Sequence, residues 1–304
     1  MKKSIKIGSI VMSAMIGVFV LLGSIWYGFF ALKNYEVSAK ELQQAYFVAE
    51  TIPDVTLSPV NQQSWDIAFK SFDNAVVNGR LVLPNKAQAN ERYPVLIALH
   101  GMGRAHVRWW HESYKERPTL EQTDKLTQLA LSKGYAVIAL DARNHGERKT
   151  LDHTIKDVMI ELKIWGERDP YEAMIRDTVK DYRMLLNWLD TDLRFDPAHT
   201  AISGYSMGGQ MSLLLSALDG RVEQTLAIVP PHIGQGTAIV SPLNVASSLT
   251  GKVWLVSAND DEYATATQNQ QLFERIATDN KKHVTFDGGH ILPTGYYEQL
   301  KGWF

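Results

Sequence analysis

The stretch TAISGYSMGGQMSLLLSAL, residues 200–218, passes from a short β-rich apolar run into an apolar helical pattern across Gly204-Tyr205-Ser206-Met207-Gly208. A strand that turns this abruptly into a helix forces the central residue into a strained backbone conformation, and small neighbours keep that residue free of collisions. The Ser206 hydroxyl is then held out at the helix N-terminus as a candidate nucleophile. The pentapeptide alone is also compatible with a glycine-rich helix start of no chemical consequence. What favours the reactive reading is the strand before it and the helix after it.

Working outward from that turn, the chain repeats one pattern. Continuous apolar runs at 95–100 (VLIALH), 136–140 (AVIAL), 200–203 (TAIS), 225–229 (TLAIV), 253–257 (VWLVS) and 283–286 (HVTF) alternate with helical stretches. Uninterrupted apolar strands separated by helices predict an α/β fold with a parallel sheet covered on both faces. Upstream, DIAFKSF and VVNGRLVLP flank a turn at Asp73-Asn74 and read as an antiparallel edge hairpin. Function in such sheets gathers at the carboxyl ends of the strands. His100-Gly101-Met102-Gly103, Asp141 to Gly146, the Ser206 turn, Asn259-Asp260-Asp261 and Gly288-Gly289-His290 all follow an apolar run.

A serine hydroxyl is a poor nucleophile until an imidazole takes its proton and a carboxylate orients the imidazole. Asp260, just past the VWLVS run, is the expected acid, with Asp261 as its nearest rival. His290, in a glycine-softened loop, is the expected base. Negative charge on a carbonyl oxygen needs preorganised donors, and the backbone N–H groups of Met207 and Met102 are the candidates. His106, His111, His145 and His153 match no common metal-ligand spacing, and no HExxH is present. No metal or cofactor is expected.

In order and spacing, Leu99-His100-Gly101-x-Gly103, Asp141-x-Arg143-x-His145-Gly146, Gly204-Tyr205-Ser206-Met207-Gly208-Gly209 and the late aspartate and histidine resemble the α/β-hydrolase superfamily. The likeness is greatest to its dienelactone-hydrolase-like and prolyl-oligopeptidase-like serine esterases. It covers about Trp65 to the C-terminus. The resemblance implies a mostly parallel eight-stranded sheet, a serine nucleophile and no cofactor. By the same comparison, Asp141, Arg143 and His145 brace the loop beside the oxyanion donors instead of doing chemistry.

Residues 147–169 form an insertion in which Leu151, Ile155, Val158, Leu162 and Trp165 recur at steps of three and four, the mark of one apolar helical face. This segment is expected to be a small helical cap. Trp109, Trp110, Leu162 and Trp165 are candidate pocket residues, and packing alone is the competing explanation for each.

Lys2, Lys3 and Lys6 precede a charge-free run from Ile7 to Leu32, followed by Lys33. At about 1.5 Å per residue the run can span a hydrocarbon core of roughly 30 Å. Trp26, Tyr27, Phe29 and Phe30 sit where aromatic rings suit the lipid–water boundary. Residues 1–34 therefore read as a transmembrane signal anchor, 35–64 as a linker and 65–304 as the catalytic domain. The excess of positive charge before the span puts that domain outside the cytoplasm. A cleaved signal peptide, with Val37-Ser38-Ala39 as the nearest processing site, would instead release it as a secreted or periplasmic protein.

The bulk composition is consistent with this. A hydrophobic content of 45% supports a large core, and Lys+Arg 31 against Asp+Glu 33 supplies no basic field for nucleic acid. Zero cysteines exclude disulfides, thiolate metal sites and a catalytic thiol. The expected activity is hydrolysis of a small-molecule carboxylic ester through an acyl-enzyme by a chain held in the lipid bilayer. An amidase or peptidase using the same three residues, or a noncatalytic binding protein of the same fold, are the alternatives.

Overall fold

The computed structural model describes residues 2–84 and 92–304, with the side chains of the first helix described from Met12 on. That helix, α1 (Lys2–Phe29), is long and apolar enough over Met12–Phe29 to cross a bilayer, and none of that window is buried against the rest of the chain. Helix α2 (Ala39–Ala45) follows, started by a capping box in which Ser38 and Glu41 satisfy each other's backbone N–H groups.

Eleven strands follow among the described residues: β1 (Thr56–Pro59), β2 (Ser64–Lys70), β3 (Val76–Val82), β4 (Tyr93–Leu99), β5 (Ser113–Tyr114), β6 (Arg117–Pro118), β7 (Ala136–Leu140), β8 (Phe195–Tyr205), β9 (Gln224–Ile228), β10 (Lys252–Ala258) and β11 (Lys281–Phe286). Strands β5 and β6 make a separate ribbon. The other nine form one sheet in the order β1-β2-β3-β7-β4-β8-β9-β10-β11. From β7 to β11 every pairing is parallel, while β1, β2 and β3 add antiparallel strands at one edge. The hairpin turn falls at Asp73-Asn74 as the sequence predicts, with Asn74 at φ 64°.

The sheet has nine strands where eight were expected, and the extra one comes from the segment read as a linker. Thr56–Pro59 pairs with β2 in the register Thr56↔Ala68. Leu42 and Tyr46 are buried in the core, and the Tyr46 hydroxyl donates to the Ile239 carbonyl at 3.0 Å. Residues 35–64 are thus packed on the domain along much of their length. The helical spacing Ala39, Leu42, Ala45 and Tyr46 behind the Ser38–Glu41 cap spans only about two turns, too short a pattern to set the segment apart from a tether.

The central strands are buried on both faces. In β4, Val95, Ile97 and Leu99 face the layer that contains α5 (Asp169–Leu189) and α6 (Met207–Leu218), while Leu96 and Ala98 face α3 (Thr123–Ser132) and the C-terminal segment around Tyr296 and Trp303. Side chains alternate across a strand, so two covering layers demand an unbroken apolar run. From β4 the chain moves first to β7 on one side and then to β8 on the other. The carboxyl ends of β4 and β8 therefore flank the point where the winding reverses, the usual place for a ligand crevice in an open α/β sheet.

Candidate active site

Ser206 sits between β8 and α6 at φ 58° and ψ −119°, a conformation that L side chains rarely adopt. The surrounding packing imposes it. A β-carbon on Gly208 would stand 2.1 Å from the Leu99 carbonyl oxygen, and one on Gly204 would stand 2.1 Å from the carbonyl oxygen of Gly208. No other residue fits either position without moving backbone.

The imidazole of His290 lies 2.8 Å from Ser206 Oγ through Nε2. Its Nδ1 is 3.0 Å from both carboxylate oxygens of Asp261. The acid that reaches the histidine is therefore Asp261, and the expectation of Asp260 is corrected. Beyond β10, Asn259 and Asp260 form an exposed turn whose backbone continues the pairing with the β11 end, Asn259 N–H donating to Phe286 O and Asp260 N–H to Gly288 O. Only at the next residue does the chain turn its side chain inward. Asp261 is buried, and its Oδ1 also accepts the Tyr263 N–H at 2.8 Å.

Several groups hold His290 in place. Its backbone N–H donates to Glu262 Oε2 at 2.9 Å, its carbonyl accepts the Tyr205 hydroxyl at 2.8 Å, and the Tyr263 ring stands edge-on at 4.6 Å. The hydrogen bond from His290 lowers the Glu262 pKa, and burial pushes the Tyr205 phenol well above its usual range. The Tyr205 hydroxyl in turn accepts the Leu292 N–H at 3.1 Å.

Met102 and Met207 both line the cleft around Ser206. Met207 is the first residue of α6, so no carbonyl one turn behind it within the helix takes its N–H. Gly101 lies against Ser206: a β-carbon there would be 3.6 Å from Ser206 Cβ.

The loop after β7 is tied down by a network of ion pairs and hydrogen bonds. Arg143 donates to Asp181 Oδ1 and Oδ2 at 2.8 and 3.1 Å, and also to the Asp73 carboxylate. Arg148 reaches Asp181 at 2.8 Å and the Asp141 carbonyl at 2.9 Å. Burial works against ionisation of Asp141, but hydrogen bonding and charge from His106 outweigh it and hold its pKa at about 2. His100 and His145 are buried and neutral. His100 Nδ1–H donates to Gly101 O at 2.8 Å while its Nε2 accepts the Ala142 N–H at 3.0 Å; His145 Nδ1–H donates to Arg143 O at 2.7 Å. Burial lowers the pKa of both, that of His145 to about 3.

A cleft of about 950 Å³ opens over Ser206. Of the four pocket candidates, only Leu162 lines it. Trp109 ends a 3-10 turn (His106–Trp109) that aims it into the core beneath the sheet beside Leu126 and Ala130, and Trp110 packs against the same cluster. Trp165 is half exposed and meets Phe30. It leaves the Leu162 face because helix α4 (Ile155–Ile160) runs on into a π turn, Glu161–Trp165, which breaks the three-and-four spacing. Leu151 precedes the helix and is exposed.

The cleft also takes Tyr171, Gln210, Ile233 and, from just beyond α1, Leu32. Its loop Pro231–Ile233 follows β9, the fourth apolar run of the sequence. Attention to that strand end, as to the other five, would have found it. Burial lowers the pKa of His232 in this loop. Among the described residues, no group of three or more His, Asp and Glu side chains stands ready to hold a metal.

The model of the Esterase family matches residues 71–224, from the β2–β3 turn past Ser206. No curated protein sequence matches significantly. Among solved structures, acetyl xylan esterase 1 from Thermoanaerobacterium superposes with a TM-score of 0.67 at 16% identity, covering 88% of this chain and 98% of that one. An acetyl xylan esterase from Paenibacillus gives 0.65 at 18% identity, covering 86% and 89%. An esterase from Pyrococcus furiosus gives 0.57 at 16% identity, covering 90% and 95%. At these identities the shared property is the fold.

Proposed function

Because the chain belongs to the Esterase family of α/β-hydrolases and acts on carboxylic esters, we propose that it does so as a membrane-anchored serine hydrolase working through an acyl-enzyme. The observation that carries the reading is the continuous hydrogen-bond chain Ser206 Oγ, His290 Nε2, His290 Nδ1 and Asp261.

In the first half-reaction Ser206 Oγ attacks the ester carbonyl as its proton passes to His290 Nε2. The Met102 and Met207 N–H groups receive the developing oxyanion. The tetrahedral intermediate collapses with cleavage of the bond to the alcohol oxygen, and the imidazolium returns its proton to that leaving group. Water then repeats the sequence on the acyl-enzyme, releasing the acid and restoring the serine. Asp261 fixes the imidazole tautomer and offsets its positive charge. The balance is ester plus water giving acid plus alcohol, with no other reactant.

Ser206→Ala should lower turnover of p-nitrophenyl acetate on the order of 10⁶-fold with an unchanged circular dichroism spectrum. Unchanged turnover refutes the assignment. Anchoring through α1 is supported by its length, its apolar exposed surface and the basic residues before it. Recovery of the intact chain in a carbonate-washed membrane fraction tests it, and a shortened chain in the soluble fraction refutes it.

A further inference from the structure

The end of α1 is seated on the cap. The Trp26 indole Nε1–H donates to the Ile164 carbonyl at 2.6 Å, and the Phe30 and Trp165 rings meet edge-on at 5.4 Å. Gly166, which closes the π turn at φ 68°, takes the Phe30 carbonyl oxygen so closely that a β-carbon would stand 2.2 Å from it. The chain is then clamped to the domain. Tyr35 N–H donates to Gln235 O at 3.0 Å, its hydroxyl donates to Glu172 Oε1 at 2.6 Å and accepts the Ile239 N–H at 2.9 Å, and the Arg168 guanidinium covers its ring.

Two consequences follow for the cleft. Leu32, which helps line it, lies three residues beyond Phe29, so it is within about 11 Å of the end of the span. The cap also has two apolar faces. Met159 and Leu162 look into the cleft, whereas Ile160, Ile164 and Trp165 are exposed at 39%, 47% and 50%. This outer face continues the exposed aromatic end of α1, formed by Trp26, Tyr27, Phe29 and Phe30. Lys33, the first charge after the span, folds back onto it, with Nζ donating to the Tyr27 carbonyl at 2.6 Å and standing over the Tyr27 ring. Aromatic rings followed by a lysine that reaches back mark the polar boundary of a bilayer.

We propose that the segment Ile155–Trp165 lies in the lipid–water interface, its Ile160, Ile164 and Trp165 face embedded in the bilayer crossed by α1, and that the cleft draws amphiphilic acyl esters from that bilayer. This deepens the membrane-anchored esterase reading and rests on it. An apolar surface fixed by the chain itself at the emergence point of a membrane helix is held at the interface. Burying it there removes apolar area from water at no further cost in translational freedom.

The absence of cysteine from the natural sequence allows the test. Single cysteines at Phe19, Ile160, Ile164 and Leu193 are spin-labelled in the full chain reconstituted into phosphatidylcholine–phosphatidylglycerol vesicles. Collision rates with oxygen, which concentrates in lipid, and with a water-soluble nickel chelate are then compared. Leu193 is exposed just before β8, at the sheet end away from Ser206, and serves as the aqueous reference. Oxygen should dominate at 19, 160 and 164, and nickel at 193. Oxygen at 19 with nickel at 160 and 164 overturns the interfacial cap alone, whereas nickel at 19 removes the membrane reading beneath it. Shielding of 160 and 164 from both reagents identifies a protein partner and also overturns the proposal. In parallel, Ile164→Glu should lower turnover of vesicle-borne p-nitrophenyl laurate about ten-fold and leave water-borne p-nitrophenyl acetate unchanged. Equal effects on both substrates count against interfacial delivery.

Discussion

Replacing Asp261 by Asn, with Asp260→Asn beside it, separates two adjacent carboxylates that differ in environment. Asp261 is buried with both oxygens 3.0 Å from His290 Nδ1, whereas Asp260 is exposed in the turn before it. Asparagine keeps the size of the side chain and an oxygen for the Tyr263 N–H, so the fold survives. What is lost is the negative charge facing the imidazolium that forms as Ser206 is deprotonated. With charge centres about 4 Å apart and an effective dielectric constant of about 20, that interaction amounts to about 4 kcal/mol. At 1.36 kcal/mol per decade this is about 10³-fold in kcat. Loss of the correct tautomer can extend the effect to about 10⁴-fold. Asp260→Asn should stay within about two-fold, since an exposed charge beyond hydrogen-bond reach is screened by solvent. Steady-state hydrolysis of p-nitrophenyl acetate, with thermal unfolding as the control for folding, measures both. Comparable losses in the two variants, or an Asp261→Asn enzyme that keeps a third of its activity, refute the arrangement.

Tyr205→Phe strips the hydroxyl that joins the His290 carbonyl to the Leu292 N–H. With both groups left without that partner, stability should fall by about 2 kcal/mol, or about 4–8 °C in Tm for a domain of this size. An unchanged Tm refutes the role assigned to the hydroxyl. Acid should destabilise the fold well above the carboxylate range. Burial lowers the pKa of His100 and His145 from 6.5, that of His145 to about 3. Below pH 6.5 the unfolded chain therefore binds protons that the folded one refuses, and stability falls as pH falls. For His145 the slope approaches about 1.4 kcal/mol per unit below about pH 6.5, and His100 acts in the same sense. His232 and His283, also lowered by burial, add in the same sense. Asp141, held at about 2, contributes stability that is lost only as pH drops below its ordinary 3.8. His199 works oppositely, but it is exposed and its pairing with Asp196 is screened. Going from pH 7.5 to 5.5 should lower stability by about 1.4 kcal/mol through His145, with His100 adding in the same direction. A Tm that is flat or rises over that interval refutes the neutral, buried state of this pair.

The parallel sheet, the nucleophile turn and the histidine loop were legible because each rests on local constraints. An apolar run of five residues such as AVIAL, buried on both faces, suits a covered strand, and a strand-to-helix turn around Ser206 demands glycine on both sides. Strand ends that share one edge of a parallel sheet then bring distant loops together, so placing His290 near Ser206 needed only the order of elements.

What only the tertiary structure decided has contacts far apart in sequence or depends on a direction that one residue reverses. Asp260 and Asp261 are equivalent in composition and differ in which way a two-residue turn points them. Trp109 and Trp110 were as suitable for a pocket as for a core until α3 took the space beneath them. Trp165 belonged to the Leu162 face by counting and left it through one π turn. Above all, residues 30–64 carry no long periodic signal, yet Leu32, at the end of the apolar run, reaches the cleft, Tyr35 hydrogen-bonds Glu172 and Thr56–Pro59 adds the edge strand of the sheet. The sequence by itself therefore determined the fold class and the strained turn that carries Ser206, which follow from periodicity and backbone sterics. Packing across long loops, which no local pattern encodes, selected the acid, shaped the cleft and set the end of the apolar span against it.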